Sequence, residues 1–363
     1  MSHLRQFVLN GKFLTAESTG VHRVAEQLAL NIHTILQQDF DIASRLQVEL
    51  WVPPSATDRA SRLGIPYRTV GPLDGIAWEQ LTLPARVGNK TILSLCNVGP
   101  VAARNAVTMF HDAQVHITPE SYRPAFRYWY RFHQPLAGRR HRRILTVSDF
   151  SRGQLLDYGL GRKGKVGVVL NGADHVLDTP ADTAILPRLK LRNRSYVIGL
   201  ANTQKHKNIA LLLEAFASPA LNDIDLVLFG SAKASDFESR GCNVPDNVCF
   251  AGRVSDEELR ALYENALCIA FPSTTEGFGL PPLEAMFLGC PAIVAPAGAL
   301  PESCGTGAIY ADPAYRQDWV DAIRALADKP GFREEKVRDS REWSAQFTWR
   351  NAASHLIAEL LEL

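Results

Sequence analysis

The chain has 363 residues, of which 46% are apolar and 21% charged, and its formal net charge at pH 7 is +1. This length favours two domains, and the composition is typical of a globular protein with a sizeable core. A charge so close to neutral argues against nucleic-acid binding driven by overall electrostatics, so nucleic acid is not expected as a partner.

Membrane-spanning and secreted classes are also disfavoured. A spanning helix needs a run of about 18 apolar residues, and none occurs. The start, MSHLRQFVLNGKF, has neither an apolar core segment nor a small-residue cleavage site. The six cysteines form no C-x-x-C pair, so we expect reduced thiols, a cytoplasmic location and no zinc site.

Short apolar segments typical of strands alternate with amphipathic stretches along the whole chain. In chain order the predicted strands are RQFVLN, QVELWV, TILSL, NAVTMFHD, RILTVS, GVVLNG, SYVIGLAN, DLVLFG, VCFAG, CIAFPS and PAIVAP. Helical spacing is clearest in HRVAEQLALNIHTIL, IALLLEAFA and DEELRALYENA. This alternation predicts an α/β fold of parallel sheets covered by helices on both faces.

The alternation occurs twice, and the break follows Asn171 and Gly172. The next segment, ADHVLDTPADTAILPRLKLRNR, has two prolines and no periodicity, which is typical of a linker. We therefore predict two Rossmann-like, doubly wound domains, residues 1–175 and 190–345, facing across a cleft. Open parallel sheets bind ligands beyond the carboxyl ends of their strands, so the site is expected in that cleft.

The loop after the predicted strand CIAF is the most distinctive stretch. In TTEGFGLPPLEAM, Glu276 lies in the strand-to-helix loop, and Glu284 is predicted in the first turn of the next helix, which begins with two prolines. Gly277 and Gly279 let a ligand approach the backbone, and free N–H groups at a helix N-terminus favour an anion. The carboxylates can accept hydrogen bonds from hydroxyl groups, and the N–H groups beside them can donate to a phosphate. A ligand with both kinds of group is a sugar nucleotide. The structural alternative is that Glu284 only complements the dipole of the helix and that the glycines only allow a tight turn.

EGFGLPPLEAM closely resembles the Glu-x7-Glu motif of retaining glycosyltransferases of family 4, which have the two-domain GT-B fold. The resemblance is strongest to bacterial mannosyltransferases of exopolysaccharide and lipopolysaccharide synthesis, and it covers nearly the whole chain. In this family the first glutamate contacts the hydroxyls of the donor sugar and the second contacts the ribose. The resemblance therefore implies these roles for Glu276 and Glu284.

Three further segments carry the resemblance. NVCFAGRVSDEELRALYENA is similar to the family segment whose backbone meets the nucleotide base, here near Val254. GCPAIVAPAGALPESCG is similar to the strand and helix start that follow the motif. FTWRN is similar to the start of the closing helix, which implies that residues 346–363 pack back on the N-terminal domain. The resemblance also implies that residues 1–175 bind the acceptor and residues 190–345 bind the nucleotide sugar.

The segment ANTQKHKNIALLLEAFA resembles the family's diphosphate-binding segment. Lys207 matches the family's lysine, which implies that it neutralises the leaving diphosphate. Asn202 stands where many members have arginine, so the second cation remains open among Lys205, His206 and Arg253. A solvated, lysine-rich turn is the structural alternative.

Metal-assisted members of other transferase families use an Asp-x-Asp motif. In this chain Asp223-Ile224-Asp225 precedes the strand LVLFG, which is the wrong end for a parallel-sheet site. We interpret it as a surface turn and expect metal-independent chemistry. No cofactor is expected, because the nucleotide sugar is a substrate.

The N-terminal half contains two family-like loops. The family's Gly-x-Gly-Arg pattern resembles Gly20-Val21-His22-Arg23, in which histidine replaces the second glycine. Gly20 still allows a ligand to approach the backbone closely. Whether the loop binds phosphate as in the family is left undecided by His22. MFHDAQVHITP places His111 at a strand end, like the family's histidine near the anomeric carbon of the donor sugar. A structural histidine is the alternative. SLCNVGP and AWEQLTLP resemble segments of the family's polysaccharide-synthesising members.

Residues 122–143, YRPAFRYWYRFHQPLAGRRHRR, interleave seven arginines with aromatic residues. Arginines four residues apart share one face of a helix, and such a basic, aromatic face fits a helix lying on anionic lipid. Our hypothesis is peripheral association with the inner face of the cytoplasmic membrane. An ordinary solvated helix, or one that faces protein, is the alternative.

Taken together, the resemblance implies a retaining, metal-independent hexosyltransferase. GDP-mannose is the first expected donor, and the expected acceptor is a hydroxyl of a glycan carried on a polyprenyl diphosphate, in bacterial polysaccharide or lipopolysaccharide synthesis. A dTDP-rhamnose or UDP-sugar donor, a sugar-nucleotide epimerase and a non-catalytic sugar-nucleotide-binding subunit remain alternatives. The expected catalytic residues are His111, Lys207 and Glu276. The expected donor-binding residues are Gly20, Asn202, Lys207, Arg253, Val254, Glu276, Gly277, Phe278, Gly279, Leu280 and Glu284.

Overall fold

The computed structural model describes residues 4–16, 19–192 and 195–363. The chain divides into two compact units: unit 1 is Met1–Gly172 with Thr348–Leu363, and unit 2 is Ala173–Phe347. The segment interpreted as a linker belongs to unit 2. It contains two short helices, and Ile185 on the second is fully buried. Helices of one turn are too short to produce a periodicity in the sequence, which is why this segment resembled a linker.

Unit 1 is built on a seven-stranded sheet in which all neighbouring strands are parallel. Its strands are β1 (Arg5–Asn10), β2 (Leu46–Val52), β3 (Tyr67–Thr69), β4 (Thr91–Ser94), β5 (Ala106–Met109), β6 (Arg143–Thr146) and β7 (Val166–Val168). They are ordered β3-β2-β1-β4-β5-β6-β7. Every side chain of β4 and β5 is buried, as expected for central strands covered on both faces. The edge strand β3, three residues long and partly exposed, was not predicted because it has no apolar run.

Unit 2 contains a six-stranded parallel sheet in the order β10-β9-β8-β11-β12-β13. Its strands are β8 (Ser195–Ala201), β9 (Ile224–Gly230), β10 (Val248–Gly252), β11 (Cys268–Phe271), β12 (Ala292–Val294) and β13 (Ala308–Tyr310). Val197 and Ile198, adjacent on β8, belong to two separate buried clusters. Because successive side chains of a strand point to opposite faces, both faces of this sheet are covered. The edge strand β13 was not predicted, because it is short and partly exposed.

Helices cover the sheets of both units. They are α1 (Gly20–Gln38), α2 (Phe40–Arg45), α3 (Thr57–Arg62), α4 (Gly75–Ala77), α5 (Leu83–Arg86), α6 (Gln114–Ile117), α7 (Pro124–Arg140), α8 (Asp149–Asp157), α9 (His175–Asp178), α10 (Ile185–Arg188), α11 (Ile209–Phe216), α12 (Ala234–Glu238), α13 (Asp256–Asn265), α14 (Leu280–Phe287), α15 (Leu300–Cys304), α16 (Arg316–Asp328), α17 (Pro330–Ser344) and α18 (Trp349–Leu361). The last helix, α18, packs against α1 of unit 1, and Glu359 on it pairs with Arg143 at 2.6 Å. None of the helices in the described part of the chain has the length and apolar character that a bilayer span requires.

The two sheets share one topological feature. In unit 1, β2 and β3 lie on one side of β1, and β4 to β7 lie on the other side, so β1 lies between β2 and β4. In unit 2, β8 likewise lies between β9 and β11. Loops leaving two adjacent strands at such a reversal diverge to opposite faces of the sheet and leave a crevice at their carboxyl ends, where doubly wound folds bind ligands. This predicts one crevice in each unit, after β1 and β4 and after β8 and β11.

Candidate functional site

In unit 2 the crevice is formed by the loops after β8 and β11. The chain leaves β8 at Ala201 and makes a 3-10 turn, Lys205–Lys207, before α11 begins. It leaves β11 at Phe271 and reaches α14 through the loop of residues 272–279. The two loops are tied together because the carbonyl of His206 accepts a hydrogen bond from the Thr274 backbone N–H at 2.8 Å.

Two predicted catalytic residues meet in this crevice. Lys207 Nζ donates to Glu276 Oε1 at 2.6 Å, and the side chains are only 15% and 13% exposed. The Ser273 hydroxyl donates to the same carboxylate oxygen at 2.5 Å, and Lys207 Nζ lies 5.5 Å from the centre of the Phe271 ring. A charged pair sheltered in this way is screened less by water than a surface pair. Lys207 therefore keeps a fixed positive charge beside an oriented carboxylate.

The Glu276 loop is held by glycines on both sides. Gly279 adopts φ +98° and caps α14, and a Cβ there would lie 2.6 Å from Leu300 Cδ2. Gly298 adopts φ +62°, and a Cβ there would lie 2.4 Å from the Glu276 backbone nitrogen. The Ala299 N–H donates to the Glu276 carbonyl at 3.0 Å. Sequence reasoning found Gly279 but missed Gly298, whose only signal was its position in the loop after a predicted strand.

Beside Gly277, the backbone N–H groups of Phe278, Gly279 and Leu280 lead into the start of α14. The second and third residues of α14 are prolines, so they offer no N–H group. Phe278 is buried, and its carbonyl accepts from the Ser303 hydroxyl at 2.6 Å. The loop backbone is therefore fixed before any ligand binds.

Glu284 lies in the second turn of α14, not in the first turn as expected, and no acidic residue occupies the first turn. The dipole-complementing alternative is correspondingly weakened, because that effect is concentrated in the first turn. Glu284 is buried, and its Oε1 lies 3.4 Å from His175 Nε2. His175 comes from α9, in the segment interpreted as a linker, so sequence reasoning missed it.

The other predicted residues of unit 2 lie along the same edge of the sheet. Asn202 Oδ1 accepts from the Gln204 N–H at 2.8 Å and so shapes the turn that leads to Lys207. Arg253, exposed, and Val254, half-buried, follow β10, which is separated from β8 by β9.

The Asp-x-Asp motif lies at the opposite, amino-terminal end of β9. Asp223 is exposed and pairs with Arg324 at 2.8 Å, as a surface turn predicts. Asp225 differs from that expectation, because it lies inside β9 and is buried. A second Asp-x-Asp, at Asp39 and Asp41, lies in unit 1, where Asp39 Oδ1 caps α2 by accepting from the Ile42 N–H at 3.0 Å. Within the described ranges, no group of three or more His, Cys, Asp or Glu could hold a metal ion.

Comparison with known proteins identifies the family. The model of the family described as glycosyl transferases group 1 matches residues 185–343. The chain is 31% identical over 278 residues to O-antigen chain mannosyltransferase B of Escherichia coli, covering 71% of this chain and 70% of that protein. The chain belongs to the group 1 glycosyltransferases. It is also 26% identical over 261 residues to O-antigen chain mannosyltransferase RfbU of Salmonella typhimurium, covering 70% and 69% of the two chains.

A solved structure extends the likeness over the whole fold. The structure of Anabaena Alr3699/HepE in complex with UDP-glucose aligns with a TM-score of 0.68 at 20% identity, covering 99% of this chain and all of that one. At this identity the match supports the fold alone. This protein is thus a glycosyltransferase with the GT-B fold, built from two Rossmann-like parallel-sheet domains.

In unit 1 of this glycosyltransferase, the predicted residues are Gly20 and His111. Gly20 is the exposed first residue of α1. His111 is buried, and its Nε2 donates to the Leu95 carbonyl at 2.8 Å. Burial lowers the pKa of His111 to about 4, so the ring is neutral at pH 7 and its Nδ1 is the acceptor nitrogen. His111 can accept a hydrogen bond but is a weak base.

The remaining sequence expectations concern cysteines and the basic segment. All six thiols are free; Cys268, Cys290 and Cys304 are buried, and the other three are half-buried. Residues 124–140 of the basic segment form α7, whereas Arg143 lies in β6 and pairs with Glu359.

Proposed function

We propose that this protein is a retaining, metal-independent hexosyltransferase that moves mannose from GDP-mannose to a hydroxyl of a lipid-linked glycan in bacterial polysaccharide or lipopolysaccharide synthesis. The observation that carries this proposal is the sheltered Lys207–Glu276 pair at the carboxyl ends of β8 and β11. Two relatives named as O-antigen mannosyltransferases support mannose as the sugar. A UDP-sugar donor is the second candidate, because a protein of the same fold is described with UDP-glucose.

The donor is assigned to unit 2 on chemical grounds. A nucleoside diphosphate leaving group develops negative charge, and a fixed cation with backbone N–H groups stabilises that charge. Lys207 supplies the cation, and Phe278, Gly279 and Leu280 supply backbone N–H groups. Glu276 accepts hydrogen bonds from hydroxyls of the donor sugar, and Glu284, oriented by His175, accepts them from the ribose. With Lys207 balancing the diphosphate, the proposed chemistry needs no divalent cation.

In the proposed mechanism the acceptor oxygen attacks the anomeric carbon from the face that the diphosphate leaves. The bond between the anomeric carbon and the phosphate oxygen breaks, and its electron pair leaves with the diphosphate. The new glycosidic bond forms on the same face, and the acceptor proton passes to the leaving phosphate oxygen. Glu276 is held by Lys207 and Ser273, and His111 is a weak base, so neither is suited to take that proton. We assign His111 a binding role toward the donor sugar.

Calorimetry against GDP, UDP and dTDP tests the donor base, and GDP is expected to bind most tightly. Incubation with labelled GDP-mannose and other donors then tests transfer, and NMR of the product reads the anomeric configuration. Transfer in the presence of EDTA with retention of configuration is the expected result. An epimerised donor, or nucleotide binding without any product, would support instead the epimerase or the non-catalytic subunit. An inverted product or strict dependence on a divalent cation would contradict the mechanism.

Lys207→Met is the direct test of the cation. We expect weaker binding of nucleoside diphosphates and loss of transfer, because the charge facing the leaving group is removed. Lys336→Met is a matched control, since Lys336 also pairs with a carboxylate, Asp339 at 2.5 Å, and also lies near a phenylalanine ring, Phe332 at 5.7 Å, but on α17. Equal effects of the two substitutions would contradict the assignment.

For α7 we propose peripheral docking on anionic lipid, with the enzyme in the cytoplasm at the inner membrane face. Three large rings of this helix are exposed: Phe126 at 42%, Tyr128 at 66% and Phe132 at 62%. Arginines lie between them, and the Arg127 guanidinium lies 5.2 Å from the centre of the Tyr128 ring. Co-sedimentation with liposomes should be stronger for anionic vesicles and weaken with salt. Equal partitioning to neutral and anionic vesicles would contradict this docking.

A further inference from the structure

The residue that follows Lys207 has a backbone conformation that is unusual for any residue except glycine. In the described part of the chain, three residues other than glycine have a positive φ: Asn97, Lys190 and Asn208. This left-handed conformation is costly for most residues, although asparagine tolerates it, and it persists mainly at functional sites. Asn97 Oδ1 accepts from the His111 backbone N–H at 2.7 Å. Two of the three residues therefore lie beside groups assigned to the reaction.

Asn208 separates the turn that carries Lys207 from the helix that follows. It has φ +55° and ψ +34°, and it lies between the 3-10 turn Lys205–Lys207 and the start of α11. Its N–H donates to the Lys205 carbonyl at 3.2 Å, and its own carbonyl accepts from the Leu211 N–H at 3.2 Å. With a right-handed conformation here, the turn would continue into α11, and the helix would set the direction of Lys207. The left-handed residue keeps that direction independent of the helix.

The Asn208 side chain does not have the usual role of an asparagine before a helix. In that role its oxygen accepts from an N–H group of the first helical turn and caps the helix. The Asn208 side chain makes no such bond to α11. Its Nδ2 donates instead to the Pro313 carbonyl at 2.9 Å, 105 positions away. A cap would serve the helix, whereas this bond ties the turn to another loop.

The loop that accepts this bond is itself anchored. Residues 311–315 connect β13 to α16. Trp319 is fully buried, and its Nε1 donates to the carbonyl of Asp312 at 2.9 Å, next to Pro313. The turn of Lys207 is thus held by the loop after β13 on one side and by the loop after β11 on the other.

The chemistry of lysine explains why this turn has to be fixed. A lysine side chain is a flexible four-carbon stem, so its ammonium meets a ligand at a defined place only if the backbone is held. Before a donor binds, Glu276 Oε1 holds the ammonium at 2.6 Å. In the proposed function the hydroxyls of the donor sugar also bind that carboxylate. The bond to Glu276 is therefore not sufficient to position Lys207 during the reaction.

We propose that Asn208 is a positioning residue for Lys207: its left-handed backbone and its bond to Pro313 direct the ammonium towards the leaving diphosphate. The inference rests on the proposed function, because it needs a diphosphate beside Lys207. It assigns control over diphosphate binding to a neutral residue that acts through its neighbour and not by contact with the ligand.

Calorimetry on the full chain tests the proposal with GDP and UDP, and with guanosine and uridine as their uncharged counterparts. Asn208→Gly accepts the left-handed backbone but removes the bond to Pro313. We expect it to bind the diphosphates about fivefold more weakly, the usual contribution of one hydrogen bond. Asn208→Ala also disfavours the backbone conformation, so its loss should be larger. Binding of the two nucleosides should stay unchanged in both variants, and transfer rates should follow the order of diphosphate binding.

A double-mutant cycle separates positioning from a merely structural role. In a Lys207→Met background, Asn208→Gly should have no further effect on diphosphate binding, because no ammonium is left to direct. Lys190→Gly is the matched control, since Lys190 also has a positive φ, +48°, but is exposed after α10. This control should bind diphosphates and transfer sugar like the wild type.

Two results would overturn the proposal and leave the donor assignment intact: equal losses from Asn208→Gly in the two backgrounds, or a folded Asn208→Ala that binds diphosphates like the wild type. Circular dichroism shows whether each variant folds, and Asn208→Gly keeps the test available if Asn208→Ala does not. A wild type that binds neither diphosphate, or a Lys207→Met variant that binds them equally well, would instead remove the donor assignment and this inference with it.

Discussion

Each unit of this glycosyltransferase shelters one lysine–glutamate pair in the crevice at the reversal of its sheet. In both, the lysine lies in a 3-10 turn after the first strand of the sheet: Lys12 after β1 and Lys207 after β8. The glutamates differ in origin. Glu79 precedes the fourth strand of its unit, on a helical turn, whereas Glu276 follows the fourth strand, in a glycine-shaped loop. The lysine therefore has the same place in both sheets, after the first strand. The carboxylate comes from the connection before the fourth strand in unit 1 and from the connection after it in unit 2.

The difference in exposure separates the two pairs further. In unit 1 the carboxylate is the deeper partner, with Glu79 at 2% and Lys12 at 22% exposed. In unit 2 both partners are sheltered about equally. This comparison leads to four predictions.

Glu276→Ala should have the largest effect. Removal of an oriented group that contacts the reacting substrate costs roughly 10²–10³ in rate, about 2.7–4 kcal/mol, so transfer should fall by that factor while the fold persists. The matched control is Glu264→Ala, whose side chain pairs with Arg260 at 2.8 Å on α13. Rates with labelled donor and circular dichroism measure the two properties. A Glu276→Ala variant with most of its activity would remove the donor assignment from unit 2.

Lys12→Met should have the next largest effect, on stability. It leaves the buried charge of Glu79 without its cation, which costs about 3 kcal/mol, the low end for a buried pair because Lys12 is partly exposed. Lys90→Met breaks a more exposed pair in the same unit, with Glu49 at 2.5 Å, and should cost about 1 kcal/mol or less. Urea unfolding of the full chain, followed by a probe in unit 1, measures both. Equal losses would mean that the two pairs of unit 1 are equivalent and that Glu79 is not specially held.

Gly298→Ala tests the glycine-shaped loop of unit 2. Its positive φ costs alanine about 1–2 kcal/mol, and the added Cβ would also push on the Glu276 backbone, so both stability and transfer should fall. Gly241→Ala isolates the first effect, because Gly241 has φ +82° with open space around it. We expect Gly241→Ala to lose stability without losing transfer. Normal transfer by Gly298→Ala would show that the loop adjusts without moving Glu276.

The smallest predicted effect is a pH dependence of unit 1. Burial lowers the pKa of both His111 and His141 to about 4, against about 6.5 when unfolded. The unfolded chain then binds more protons between these values, so the stabilisation is complete above pH 6.5 and is lost as the pH falls towards 4. Between pH 6.5 and 5.5 each histidine should cost about 1 kcal/mol.

Hydrogen exchange at pH 7 and 5.5 can measure this effect separately in the two units. Peptides of β5 and β6 should lose protection, and His111→Asn should remove about 1 kcal/mol of that loss. Unchanged protection in unit 1 at pH 5.5 would contradict the low pKa of these rings.

Much of this architecture could be predicted from the sequence. Long apolar strands such as β8 and β9 and their alternation with helices depend on neighbouring residues, so local patterns reveal them. The edge strands β3 and β13 were missed because their three residues are partly exposed, unlike those of the equally short β12, which are all buried. The packing of the predicted linker, with His175 beside Glu284, was missed because one-turn helices have no visible period.

The candidate sites divide in the same way. The motif around Glu276 and the basic residue Lys207 could be predicted as site residues from the sequence. Ser273 and Gly298 could not, because in the sequence they resemble ordinary loop residues. Glu79 lies in AWEQLTLP, a segment noted only for its resemblance, and nothing local indicates that its side chain is buried against Lys12.

The sequence by itself determined which residues follow the carboxyl ends of the strands, because strand limits and loop composition are local properties of the chain. The tertiary structure decided which of those residues meet. Lys12 and Glu79 are 67 positions apart, and Lys207 and Glu276 are 69. They are brought together only because β1 pairs with β4, and β8 with β11. That pairing is a cooperative result of burying both faces of each sheet, and no short stretch of the chain encodes it.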